Sequence, residues 1–250
     1  MKKIIQIITY SDSTALPRPG FVGPDSTWPQ KLLHCLQIEF PENKFILENR
    51  SKGGIKIQEI LSLIRSDYSY FSKTEFTQTN NENYTIVILA AGIVDGSPQP
   101  ITFKLKLIGK IPYIGPHLWR LLRIPLIKFR PQIQLIWKFT PTNKKRFSKS
   151  LESIKKILQK YNGINLIIDT PIPHSQLTNR SPGIHKSIAK FNLIRKKVFE
   201  KNDIFLIIKT KDFTDDLYIS SEDGHHYSNL GHEFISSLLF AEIREKVRSL

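Results

Sequence analysis

Five short apolar runs punctuate the chain: residues 3 to 9, Phe45-Ile46-Leu47, Thr85 to Ala90, Ile164 to Ile168 and Ile204 to Ile208. They are nearly continuous rather than alternating, the pattern of strands buried on both faces. Segments with apolar residues at helical spacing lie between them. Trp28, Leu32, Leu36 and Phe40 form the first stripe, with Asp25 or Ser26 as cap and Pro29 in the first turn. Ile57, Ile60, Leu61 and Ile64 form the second; Phe147, Leu151, Ile154, Leu158 and Tyr161 form the third, with Gly163 expected to end it. Ile184, Ile188, Phe191, Ile194 and Val198 mark a helix over 184–201, and Leu230, Phe234, Leu238 and Ala241 mark the last. Strand and helix in alternation require a parallel sheet covered on both faces. In such sheets sites are built where the strands end.

The residues at those ends carry chemistry. The first run ends in Thr9-Tyr10-Ser11-Asp12-Ser13-Thr14, followed by the breaker-rich loop 16–24. The second ends in Asn49-Arg50-Ser51-Lys52-Gly53-Gly54, a glycine pair before a helix, where backbone N–H groups can point at an anion. The same pair also suits a simple tight turn. The third ends in Gly92-Ile93-Val94-Asp95, and Asp223-Gly224-His225-His226 precedes the final stripe. A serine, an acid and a histidine are the parts of a serine hydrolase. Asp12 is expected to stabilise its loop as an acceptor, and Asp95 to anchor its own. His225 competes with His226 as base, the spacing from Asp223 favouring His226. His232 is expected at the surface or in helix packing, and 67–83 reads as a polar loop.

In these four ordered blocks the chain resembles the SGNH, or GDSL, hydrolases, from residue 4 to about 240. The resemblance implies a three-layer α/β/α, flavodoxin-like fold with about five parallel strands. It makes Ser13 the nucleophile, His226 the base, Asp223 the acid that orients it, and Ser13 and Gly54 the backbone donors of an oxyanion hole. Asp12, Asn49, Gly92, Val94 and Asp95 would flank the site. Ser11 replaces the family glycine, which the fold tolerates if the backbone there needs no positive φ. Val94 stands where the family has an asparagine whose amide would donate to the oxyanion, and one such donor is worth about 100- to 1,000-fold in rate. Gly-Ile-Val-Asp also resembles a subgroup from bacterial polysaccharide gene neighbourhoods. The activity implied is ester hydrolysis, on an O-acyl group of a bacterial glycan or a small ester, with no cofactor and no metal. The alternative is a catalytically weak relative or an O-acyltransferase that binds a polysaccharide or an anionic membrane.

At 250 residues the chain is read as one domain, 1–250. No run of 18 apolar residues suggests a membrane span. Met1-Lys2-Lys3 and the run after it lack the length and cleavage site of a signal peptide, so a cytoplasmic protein, peripheral to the membrane at most, is expected. Cys35 is the only cysteine and is expected in the core. The net charge of +15 is local: no acidic residue occurs between Asp95 and Glu152. This basic, proline-interrupted insertion, 96–149, includes Lys104, Lys106, Lys110, Arg120, Arg123, Lys128 and Arg130. Short helices fit it and a long one does not. It reads as a solvated lid, or as a surface for an anionic membrane or lipid-linked glycan, since Trp119, Leu121, Leu122, Ile124, Leu126 and Ile127 interleave with arginine and lysine. Nucleic acid is the least favoured partner, because no recognition motif accompanies the charge.

Overall fold

The computed structural model describes residues 3–71, 83–98, 110–136, 139–160, 163–200, 204–210 and 217–249. The stretch 72–82, Lys104, Lys106 and the rest of 99–109, Lys138 and Tyr161 lie outside the described residues. Five strands, β1 (Ile4–Ser11), β2 (Lys44–Asn49), β3 (Asn83–Ala90), β4 (Gly163–Ile168) and β5 (Phe205–Ile208), form one sheet in the order β2-β1-β3-β4-β5. Every pairing is parallel. The expected α/β architecture is therefore present, as a parallel sheet between two helical layers.

The pleat explains why the strand runs are continuously apolar. Along β3, Ile86, Ile88 and Ala90 enter one core while Val87 and Leu89 enter the other. The first core is closed by α1 (Trp28–Glu39) and, at the chain's end, α9 (Asn229–Arg248), which pack on one another. The second is closed by α2 (Ile57–Phe71), α6 (Lys144–Leu158) and α8 (Ile184–Phe199). Between β3 and α6 lie α3 (Ile93–Gly96), α4 (Gly115–Lys128) and α5 (Arg130–Ile136), and α7 (Ser175–Arg180) follows β4. From β1 the chain steps outward to β2, then crosses back to β3 on the other side of β1. That reversal opens a crevice at the C-terminal ends of β1 and β3, where the Ser13 and Gly92 loops emerge.

Several expectations are corrected. Gly163 does not end the third helix: α6 stops at Leu158, and Gly163 begins β4, where a Cβ would collide with the Thr85 carbonyl of β3. The last residues of the stretch 96–149 belong to α6, which starts at Lys144 with Asn143 as its cap. Within that stretch α4 runs 14 residues despite two prolines. Pro116 lies in the first turn, where its missing N–H costs nothing, and Pro125 lies in the last turn, where it removes a single hydrogen bond. Of the loop expected at 67–83, residues 67–71 belong to α2, which continues to Phe71, and Asn83 opens β3. On α9 the buried face is Ile235, Leu239 and Ile243, one position on from the expected stripe; Leu230 is exposed. Cys35 is only partly buried.

Gly163→Ala should destabilise the protein by about 1–3 kcal/mol, as added volume in a packed interior does. Gly23→Ala, at φ −67° with only Ser26 Oγ near its new methyl, should stay close to the parent. Urea denaturation of the two variants checks this, and equal midpoints would refute it.

Candidate active site

The four strand-end blocks converge on the crevice. Ser11 is still an extended strand residue, its hydroxyl donating to the Ala90 carbonyl at 2.6 Å, so no positive φ is needed where the family glycine would stand. The backbone then turns through a short 3-10 segment, Ser13–Ala15. Asp12 caps it: its Oδ1 accepts from the Thr14 N–H at 3.0 Å and the Thr14 hydroxyl at 2.8 Å. Burial pushes the Asp12 carboxyl up while these bonds pull it down. The loop after β2 is tied to the same place, since Lys52 N–H donates to Ser11 O at 3.1 Å. Asn49 bridges the Ala15 carbonyl and the Ser51 N–H. Gly54 adopts φ +71°, a left-handed conformation that glycine takes at no steric cost, and lines one pocket with Ser13. Among the described residues, neither the Ser13 nor the Gly54 N–H has an acceptor.

The histidine loop is built as a closed turn. An antiparallel bridge joins Ile219 and Tyr227, and Ser220 N–H donates to His226 O at 2.8 Å. Gly224, at φ +77°, passes so close to Leu177 that any Cβ would collide. Asp223 Oδ1 accepts the N–H groups of His225 (3.0 Å) and His226 (3.1 Å), and its Oδ2 lies 2.7 Å from His226 Nδ1. On the other side of the ring, His226 Nε2 lies 2.7 Å from Ser13 Oγ. His226 thus spans the serine and the carboxylate, while His225 stacks beside it with ring centroids 4.1 Å apart. Burial, then the charge of His226, lowers the His225 pKa. Burial alone would raise Asp223, but its bonds from His226 and the backbone outweigh that and hold it far below the carboxylate range.

The third block forms a supporting wall. Gly92, at φ +133°, starts α3, and its missing Cβ makes room for Arg195 and Thr170. Val94 lines the pocket and offers no polar atom. Asp95 is buried and anchors two elements, accepting from the Ile57 N–H at the start of α2 (3.0 Å) and from the Thr142 hydroxyl (2.5 Å). Burial raises it to about 6.

Sequence reasoning missed three participants. Arg18, in the breaker-rich loop, pairs with Asp223 Oδ2 at 2.8 Å. Arg195 is fully buried on α8 and donates to the Ala91 carbonyl, Thr170 Oγ1 and Asn192 Oδ1. Its signal was present, since it continues the buried row Ile188, Phe191 and Phe199. His232, expected at the surface or in helix packing, is buried where α9 packs on α1, and its Nδ1 accepts the Trp28 N–H at 3.0 Å, a cap role the sequence does not show and that Asp25 and Ser26 do not fill. Asp223, His225 and His226 also bring ligand atoms within 4.8 Å of one another. Asp223, however, is already committed to His226, two N–H groups and Arg18, so this donor set fits a metal poorly.

No protein-family model and no curated protein matches the sequence. Solved structures do match over nearly the whole chain. A lipase/acylhydrolase from Enterococcus faecalis is 13% identical, with a TM-score of 0.60 over 98% of this chain and 97% of its own. The psychrotrophic esterase EstA from a Pseudoalteromonas species is 14% identical (TM-score 0.58; 97% and 98%). The acetyl xylan esterase AlAXEase is 17% identical (TM-score 0.59; 95% and 99%). The shared fold is that of the SGNH hydrolases.

Burial, with help from Lys31, His226 and Arg18, lowers His232 from 6.5 to about 4. The neutral ring is the one that accepts from Trp28. Its stabilising contribution is therefore full above pH 6.5 and is lost as the pH falls through about 4. Asp95, with a raised pKa, acts in the opposite sense over an overlapping range, so the comparison must be with a variant. The stability of the parent relative to His232→Gln, from urea titrations at pH 7 and pH 4.5, should fall on acidification; parallel pH dependences would refute this.

Proposed function

We propose that this chain, which has the SGNH hydrolase fold, is a serine esterase in which Ser13, His226 and Asp223 act as a triad. The observation that carries the reading is the His226 ring, 2.7 Å from Ser13 Oγ on one side and 2.7 Å from Asp223 on the other. Asp223 accepts from Nδ1–H and so fixes the tautomer that leaves Nε2 free to take a proton. Ser13 Oγ attacks the ester carbonyl while His226 Nε2 removes its proton. The tetrahedral oxyanion faces the N–H groups of Ser13 and Gly54. Collapse returns the proton from His226 to the departing alkoxide and leaves an acyl-serine. Water, deprotonated by the same ring, then releases the acid and restores Ser13. A sugar hydroxyl in place of that water would make the protein an O-acyltransferase.

The substrate class we favour is an O-acylated glycan. Acetyl xylan esterases share the fold, and the pocket lined by Ser13 holds about 380 Å³. Val94 leaves two backbone donors where the family has a third from asparagine, which favours a slower enzyme rather than an inert one. Ser13→Ala should lower kcat on 4-nitrophenyl acetate by at least about 1,000-fold, with an unchanged urea midpoint. Activity equal to the parent's would remove the triad reading.

A second reading concerns where the enzyme works. Helix α4 leaves Leu121, Ile124 and Ile127 more than half exposed, interleaved with Arg120, Arg123 and Lys128, in a segment without any carboxylate. Among the described residues no helix is long and apolar enough to cross a membrane. Apolar side chains at the acyl boundary with basic heads at the phosphates suit a helix lying on an anionic bilayer. The protein would then be cytoplasmic and peripheral to the membrane. It should co-sediment with phosphatidylserine vesicles at low salt and far less at 0.5 M salt, and Leu121→Ser with Ile124→Ser should abolish this. Equal recovery on neutral vesicles would sink the proposal.

A further inference from the structure

The pocket beside Ser13 holds about 380 Å³ and is lined by Ser13, Gly54, Val94 and His225, together with two arginines, Arg130 and Arg180. They arrive from different elements: Arg130 opens α5, Arg180 closes α7, and these helices pack together. Arg180 is exposed and steadied by carbonyls, its Nε donating to Gln176 O at 3.4 Å and an Nη to Glu222 O at 3.2 Å, and no carboxylate among the described residues pairs with it. Among the described residues, the buried Nε of Arg130 has no hydrogen-bond partner. Burial and the charge of Arg180 both weaken Arg130's hold on its proton, and among the described residues no carboxylate offsets them. Among the described lining residues the one carboxylate is Asp223, already bonded to His226, two backbone N–H groups and Arg18.

A buried guanidinium donor without an acceptor is costly, and two like charges on one wall add to that cost. An oxyanion would relieve both, because a guanidinium fork matches a carboxylate or phosphate with paired hydrogen bonds. The same basic character continues nearby. A second cleft, of about 580 Å³, is lined by Gln134 of α5, Thr178 of α7, Lys144, His185, Lys186 and Lys190, with no carboxylate among its lining residues.

We propose that Arg130 and Arg180 form an anion subsite within the catalytic pocket, so that the preferred substrate is an ester of an alcohol bearing a carboxylate or phosphate. This rests on the esterase reading and narrows it from acylated glycans in general to acidic ones. Arg130 and Arg180 are binding residues here: they hold the charged alcohol portion while Ser13 works on its acyl group.

Three acetate esters of similar shape separate the alternatives: 4-acetoxybenzoate, 4-acetoxyphenyl phosphate and the neutral 4-acetoxybenzamide. The parent should favour at least one of the anions over the amide by about 10- to 100-fold in kcat/KM, mainly through KM, as charge-assisted hydrogen bonds allow. The preferred anion tells carboxylate from phosphate. Arg130→Gln and Arg180→Gln should each reduce kcat/KM on that anion at least about tenfold more than on the amide, with Arg130→Lys intermediate. Added salt should shrink the preference in the parent itself, a measurement that needs no variant to fold. Equal kcat/KM on all three esters overturns the subsite. So does a loss of kcat that is the same on amide and anion, which would assign the arginines to the oxyanion or to folding. If no ester is cleaved faster than by Ser13→Ala, the esterase reading fails and the subsite is judged separately, by calorimetry of the three esters with Ser13→Ala protein. Tighter binding of an anion than of the amide then sustains it, and equal binding or none overturns it.

Discussion

The reversal of strand order at β1 and β3 is the constraint on which the candidate site depends. Parallel strands send their carboxyl ends to one rim, and the step from β2 back across β1 to β3 leaves neighbouring loops diverging there. Ser13 follows β1, Gly54 follows β2 and Val94 follows β3, so residues distant in sequence share one pocket without any long loop. The chain's end is brought in differently. Helix α9 packs on α1, and His232 at its start accepts the first N–H of that helix. The His226 ring, six residues before His232, is thereby held over the end of β1 by packing in the first core.

Behind the pocket, three buried charged groups have work within the fold. Asp12 caps the Ser13 turn, Asp95 caps α2 and holds Thr142, and Arg195 binds the Ala91 carbonyl that precedes Gly92. Burial alone disfavours each of these charges, and hydrogen bonds recover part of that cost. Such groups specify one arrangement, because a shift that broke their bonds would leave a desolvated charge. The Ser13 turn and the α3 wall are consequently fixed by charges that do not line the pocket shared by Ser13 and Gly54.

The parts legible in the sequence were those with a period or a fixed local spacing. The five apolar runs needed no tertiary information, and Asp223 with His226 three residues later is a spacing that lets one carboxylate reach both the ring and the backbone. What escaped notice depends on contacts across the chain. Gly163 looks like a helix terminator and is instead a strand residue pressed against Thr85. His232 reads as a surface or helix-packing residue, and nothing local says that it caps a helix two hundred residues away. Arg18 sits among prolines and glycine that mark a loop, with nothing to say that its guanidinium reaches Asp223. On α9 the expected stripe falls at the edge of the buried face: Phe234 and Leu238 are partly buried against the first core, Leu230 is exposed, and Ile235, Leu239 and Ile243 form the centre.

One compositional fact links the outer helix to the inner pocket. The lack of acidic residues between Asp95 and Glu152 leaves α4 basic in solvent, where unpaired charge costs little because water screens it. It also leaves Arg130 without a carboxylate on its own segment, and there the Nε is withdrawn from water. A solvated lid would account for the first consequence but not for the second. Since Arg130 stands on the lining with Ser13 and Gly54, the segment between β3 and α6 belongs to the pocket as much as to the surface. Its charge bears on what can sit beside Ser13, and not only on what the protein's exterior can approach.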